Sequence, residues 1–293
     1  MIAMSDAISL NAEAIGPNSK TVSEVRSLRQ KKHIIERGLF LIEGKKSVYE
    51  TLCDKEFSRH VRYVVVGESI KLKFLEKISF INLNKYVKIY SVSDDLFNKI
   101  SGDETPEGVL CAAAIPQRDC AGILSEPDKR LFIVLDSIND PGNLGTIMRL
   151  ADNFGVSAVL LGKNSVFEYS PKVIKSSMGS FKNIVAARMD EKIYASVLDE
   201  VKKESTAVVC SDIKAEIPVS GAASDIKKRG FKKIFVIGGS ESHGVISEEI
   251  KSLAGSAANL YRVKIKNYGK NESLNLSVAM GIFCYEMAAA LYE

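Results

Sequence analysis

Two hydrophobic periods alternate along most of this chain. Mostly apolar stretches of four to six residues, Leu39–Ile42, Val61–Val66, Leu131–Leu135, Ala158–Leu161, Ile234–Ile237 and Leu260–Ile265, read as strands. Further strands are read at Val87–Tyr90, Gly108–Ala114, Ile184–Ala187 and Ala207–Cys210. Between them, apolar residues recur three and four apart, as in Val22, Val25 and Leu28, or in Leu144, Ile147, Met148, Ala151 and Phe154. That spacing predicts helices, among them 45–53, 70–78, 94–100, 144–154, 171–178, 193–203, 247–253 and 273–292. Strand and helix in turn predict an α/β chain with a mostly parallel sheet covered on both faces.

The pattern also divides the chain. Residues 1–19 are small and polar without periodicity and read as a disordered leader. Residues 20–115 form a small α/β domain, residues 116–129 a linker with two prolines and no period, and residues 130–293 a second α/β domain. A length of 293 residues, 46% apolar and 26% charged, fits two domains with sizeable cores.

Charge changes the picture only locally. The net charge is +4, but Lys20, Arg26, Arg29, Lys31, Lys32 and Arg37 face only Glu24 and Glu36 in one short stretch, a basic helix suited to a polyanion. The five cysteines show no CxxC spacing and no histidine beside them, so most are expected to be buried small hydrophobes, with neither a disulfide framework nor a metal site. No signal peptide and no apolar run near 18 residues is found, which leads to the expectation of a cytoplasmic protein that does not engage a membrane.

Three loops carry more polar chemistry than connections need. The first follows the strand 131–135 and holds Asn139, Asp140, Pro141 and Asn143. In open α/β sheets that carboxyl edge is where ligands bind. Arg149, further along, falls off the apolar stripe of its helix. The second loop, Ile237 to Gly244, contains Gly238, Gly239 and Glu241, yet fits neither a phosphate-binding lysine loop nor the dinucleotide glycine pattern. Alone it reads as a tight turn. The third runs from Ile265 to Asn275; Ser273 is placed to cap the last helix, whereas Asn275 falls inside it, where asparagine is unfavourable.

In this order the three loops closely resemble the motifs of the SpoU/TrmH branch of the SPOUT methyltransferases. The first is similar to Asn143-x-Gly145-x-x-x-Arg149, the second to Gly239-Ser240-Glu241 with Gly244, the third to Glu272-Ser273-Leu274-Asn275-x-Ser277-Val278-Ala279. The stretch from Arg26 to Lys32, followed by Gly38-Leu-Phe-Leu-Ile-Glu-Gly44, resembles the family's substrate-binding module.

The resemblance implies methyl transfer from S-adenosylmethionine to a ribose 2′-hydroxyl of structured RNA, rRNA ahead of tRNA. It also implies a SPOUT-type parallel sheet with a trefoil knot, an exception to the rule against knots, and a homodimer. Gly238, Gly239, Ser240, Gly244, Ile265 and Leu274 are the implied cofactor contacts. Arg149 is the implied activating residue, with Asn143 and Glu241 orienting it and the ribose, and Ser273 and Asn275 holding the loop. Arg26, Arg29, Lys31, Lys32 and Arg37 are the implied RNA contacts. One departure stands out: Lys266-Asn267 follows Ile265 where the family usually has Pro-Met. The competing readings are a tRNA 2′-O-methyltransferase and an RNA-binding or ribosome-assembly protein that keeps the fold without efficient catalysis.

Overall fold

Two sheets, of five and seven strands, organise the chain. The structure is a computed structural model that describes residues 11–84, 86–239, 247–270 and 274–293. Two compact units are resolved, one comprising residues up to Gln117 together with Tyr169–Lys175, the other Arg118–Glu168 with Ser176–Glu293.

The first unit runs β1 (Glu13–Ala14), α1 (Lys20–Ser27), α2 (Lys31–Arg37), β2 (Leu39–Glu43), α3 (Lys45–Cys53), β3 (Val61–Gly67), α4 (Lys71–Ile78), β4 (Lys88–Val92), α5 (Asp94–Ile100) and β5 (Val109–Ala114). Its sheet order is β1-β4-β3-β5-β2, with β5 antiparallel to both neighbours. The leader assigned from sequence ends earlier than expected. Glu13 and Ala14 pair in parallel with Tyr90 and Ser91, because the open edge of β4 offers backbone partners that a polar segment needs no side chains to use. Gly38, at φ 61°, ends α2 in the left-handed conformation and turns the chain into β2.

The second unit comprises α6 (Cys120–Ser125), β6 (Leu131–Leu135), α7 (Pro141–Asn153), β7 (Ala158–Leu161), the end of α8 (Pro171–Ser176), β8 (Val185–Arg188), α9 (Glu191–Val201), β9 (Thr206–Ser211), β10 (Ile217–Pro218), α10 (Val219–Arg229), β11 (Lys233–Gly238), α11 (Glu248–Gly255), β12 (Leu260–Lys264) and α12 (Leu276–Tyr292). Its sheet is parallel throughout, in the order β10-β12-β9-β11-β6-β7-β8. Phe132 on β6 lies opposite Phe235 on β11, and their rings stack with centroids 4.9 Å apart at the centre of the core. The knot implied by the resemblance concerns connections that include residues 240–246 and 271–273, outside the described residues.

Two segments differ from the sequence reading. The linker 116–129 contains α6, which buries Cys120 and Leu124 in the core of the second unit. The Lys233 ammonium, itself buried beside Glu200 at 3.3 Å, donates to the Leu124 carbonyl and holds that helix down. Helix α10 is an element that the sequence reading lacks: Val219, Ala222, Ala223 and Ile226 bury one face at helical spacing, within a segment whose Gly221 and serines have low helix propensity. Four cysteines are buried and Cys53 is exposed. Burial pushes the Cys210 and Cys284 thiols up to about 12.

Candidate active site at the carboxyl edge of the second sheet

From β6 the chain steps outward to β7 and β8, then crosses to place β11, β9 and β12 on the other side. The strand order therefore reverses between β6 and β11, and at such a switch point the loops leave in opposite directions and open a crevice. Leu135 and Gly238 end these two strands in register. A Cβ on Gly238 would lie 2.7 Å from Met280 Sδ and 3.4 Å from Leu135 Cδ2, so α12 packs on the bare backbone there. The missing side chain at Gly238 is thus accounted for by core packing. Gly239 is buried beside it.

Beyond β6, Asp136 is 1% exposed and Ser137 takes φ 57°, the left-handed region that favours glycine. The Asp136 N–H donates to the Gly238 carbonyl at 2.9 Å. Its carboxylate accepts the Ser247 N–H at 2.8 Å and the Ser137 hydroxyl at 3.1 Å. Ser247 in turn caps α11, taking the Ile250 N–H on its hydroxyl. Sequence reasoning missed Asp136, because one aspartate after a strand has no local signature.

Helix α7 begins three residues earlier than the apolar spacing predicts. Asp140 caps it by accepting the Asn143 N–H at 2.7 Å, and Pro141 occupies the first turn, where its lack of an N–H costs nothing. Asn143 consequently sits in the first turn of a helix instead of in a loop. Leu144, Ile147, Met148 and Ala151 are buried, and Arg149 is exposed, with no side-chain partner among the described residues.

Asn275 is the N-cap of α12, not an interior residue. Its Oδ1 accepts the Ser277 and Val278 N–H groups at 3.0 and 3.4 Å and the Ser277 hydroxyl at 2.6 Å. The same side chain donates from Nδ2 to Asn143 Oδ1 at 3.0 Å, joining the first and third loops. Asn275→Ala is expected to lose both functions, at about 1 kcal/mol for the cap. Asn275→Asp keeps the cap but has no N–H for Asn143. Thermal unfolding should therefore separate the two variants while methyl transfer falls in both; an active Asn275→Asp protein would show the bond to Asn143 to be dispensable.

Ser240, Glu241, Gly244 and Ser273 lie outside the described residues. Of the remaining expected contacts, Ile265 is half-buried and Leu274 is 48% exposed, leaving apolar surface beyond the end of β12. Where the family usually has Pro-Met, Asn267 Oδ1 accepts the Gly269 N–H at 2.9 Å, an Asx turn that constrains the backbone by other means. On the first-loop side, the Ser176 hydroxyl donates to the Pro141 carbonyl at 3.1 Å. Two residues on, Met178 is exposed at φ 50° and Gly179 follows at φ 96°. The Met-Gly pair within a serine-rich run was the available signal for this strained turn.

The profile of the SpoU rRNA Methylase family matches residues 130–285, more than half of the chain. The chain belongs to this SpoU family. An MRM3-like substrate binding domain matches residues 19–111. Among curated SpoU relatives, the 23S rRNA (guanosine(2553)-2′-O)-methyltransferase RlmP of Bacillus subtilis is 27% identical over 92% of this chain and 96% of its own. The 23S rRNA (guanosine-2′-O-)-methyltransferase RlmB of Coxiella burnetii is 29% identical over 69% of this chain and 76% of its own. The solved AdoMet-bound rRNA methyltransferase of Sinorhizobium meliloti shares the fold, with a TM-score of 0.73 and 22% identity, covering 96% of this chain and 99% of that one.

In the substrate-binding unit of this SpoU protein, the basic residues separate into two kinds. Arg29 is no surface cation: its Nη2 donates to Glu43 and, at 2.6 Å, to the Ile100 carbonyl. Glu43 also accepts from the Ser101 hydroxyl at 3.0 Å and the Gly102 N–H at 3.2 Å. Arg29 is therefore withdrawn from the RNA contacts expected from sequence; its charge is needed to balance a carboxylate that ties three chain segments together. Arg37 is exposed and paired with Glu24 at 2.8 Å. Arg26, Lys31 and Lys32 are exposed.

Proposed function

We propose that the protein transfers the methyl group of S-adenosylmethionine to a ribose 2′-hydroxyl of rRNA. The observation that carries this reading is the Asn143–Asn275 hydrogen bond, which joins two of the three SpoU motifs at the carboxyl edge of the parallel sheet. Membership in the SpoU family and the names of its relatives support the same chemistry.

The exposed Leu274, the half-buried Ile265 and the buried Gly238–Gly239 backbone fit a nucleoside cofactor, with Ser240 and Gly244 completing its hold. When bound, S-adenosylmethionine supplies an electrophilic methyl carbon on a sulfonium leaving group. The rest falls to the chain. Arg149, through its planar guanidinium fork, stabilises the forming alkoxide or grips the adjacent phosphate, and the proton leaves to phosphate or water. Asn143 and Glu241 orient Arg149 and the ribose, while Ser273 and Asn275 hold the third loop. Holding the reactants in line is worth roughly 7–11 kcal/mol in a well-oriented site. Arg26, Lys31, Lys32 and Arg37 bind RNA phosphates from α1 and α2.

The protein is a homodimer in this reading. Val278, Tyr285 and Tyr292 are at least half exposed and recur every seven residues on the predominantly apolar α12, a stripe that a second copy covers. Light scattering should give twice the chain mass of 32.1 kDa, and a single-chain mass at micromolar concentration excludes the dimer. The function itself is tested by mapping 2′-O-methyl groups in RNA from cells with and without the gene. Loss of one rRNA methylation is expected; an unchanged rRNA map together with no cofactor binding at millimolar concentration overturns the reading.

A further inference from the structure

We infer that Asp136 is a positioning residue for the cofactor, joining the end of β11 to the N-cap of α11. The inference rests on the proposed function, which places cofactor contacts at Gly238 and Gly239. The Asp136 N–H binds the Gly238 carbonyl at 2.9 Å, where the chain leaves β11, and the Asp136 carboxylate binds the Ser247 N–H at 2.8 Å, where the chain enters α11. One residue thus ties the end of β11 to the N-cap of α11. Because Ser247 caps α11 with its own hydroxyl, the hold extends into that helix.

The surroundings of the carboxylate are fitted to it. The Ser137 hydroxyl donates to Oδ1 at 3.1 Å from a residue held at φ 57°, a backbone conformation that serine rarely adopts. On the other side, Gly162 follows β7, and a Cβ there would lie 3.2 Å from Asp136 Oδ1 and 3.3 Å from the Leu135 carbonyl. The ends of β6, β7 and β11 and the N-cap of α11 therefore meet on one buried residue, Asp136. Burying such a group is costly unless hydrogen bonds satisfy it. Its placement beneath the switch point, beside Gly238 and Gly239, makes it the support on which a bound nucleoside's contacts depend.

Asp136→Asn keeps the shape but turns one accepting oxygen into a donor that faces another donor. Gly162→Ala leaves Asp136 in place and presses on its Oδ1 from the opposite side. Cofactor affinity is read by calorimetry with S-adenosylmethionine well below the melting temperature, and RNA affinity is read separately without cofactor. Asp136→Asn is expected to weaken cofactor binding by about tenfold or more, raising KM for the cofactor with little change in kcat at saturation, and Gly162→Ala to weaken it a few-fold. RNA affinity stays at the wild-type value in both. If Asp136→Asn does not fold, Gly162→Ala alone decides. Folded variants that bind cofactor as the wild type does, or that lose RNA affinity in parallel, overturn the inference. A wild-type protein that binds no S-adenosylmethionine overturns the proposed function instead.

Discussion

Arg149→Ala is expected to lower methyl transfer by about 10²–10³-fold, the range for removing one preorganised donor from a developing oxyanion. The loss falls on kcat if, as proposed, the arginine acts where negative charge forms and not where the cofactor is held. Stability should hardly move: Arg149 is exposed and off the buried stripe of α7, and substitutions at such positions usually stay within about 0.5 kcal/mol. Arg149→Lys keeps the charge and loses the planar fork, so an intermediate rate is expected. Single-turnover methylation of rRNA, with calorimetry for the cofactor, separates the possibilities. A wild-type rate in Arg149→Ala removes this residue from the chemistry, and lost cofactor affinity moves it into the cofactor site.

The second large effect concerns stability. Glu43→Ala leaves the Arg29 guanidinium, the Ser101 hydroxyl and the Gly102 N–H without their shared acceptor. The side chains of Arg29 and Glu43 are 22% and 10% exposed, so solvent relieves part of the 3–5 kcal/mol typical of breaking a fully buried pair. A loss of about 2–3 kcal/mol is expected from the first unit. Urea unfolding followed by circular dichroism should show an early transition absent from the wild type. Arg29→Ala belongs with it, as a fold variant. Arg26→Ala and Lys32→Ala should instead leave unfolding unchanged and each reduce the salt dependence of RNA binding by about one phosphate. A stable Glu43→Ala protein would mean that water replaces the network.

What was legible in the sequence follows from range. The strands of the second sheet and the buried face of α7 announced themselves because period is a local property. The first and third loops stood out for their polar density, whereas the second, a tight turn by itself, stood out only through its resemblance to a family motif. What failed was context. Pro141 reads as a turn residue until Asp140 is seen capping the helix, and Asn275 reads as an interior residue until its own N-cap bonds are seen. Arg29 reads as an RNA contact until Glu43, fourteen positions later, and Ile100, seventy-one later, are brought beside it. Asp136 is the extreme case. Its partner Ser247 is 111 residues away, and nothing short of the fold joins them.

Helix α6 bears on where this protein can be cut. The SpoU match begins at residue 130, but the second unit begins at Arg118, and the intervening helix closes the core with Cys120 and Leu124. A fragment started at the match boundary would open that core to water and leave the Lys233 ammonium without the Leu124 carbonyl, with Glu200 still beside it. The shortest self-sufficient methylase piece is therefore longer than its family signature, and its amino terminus belongs before Arg118.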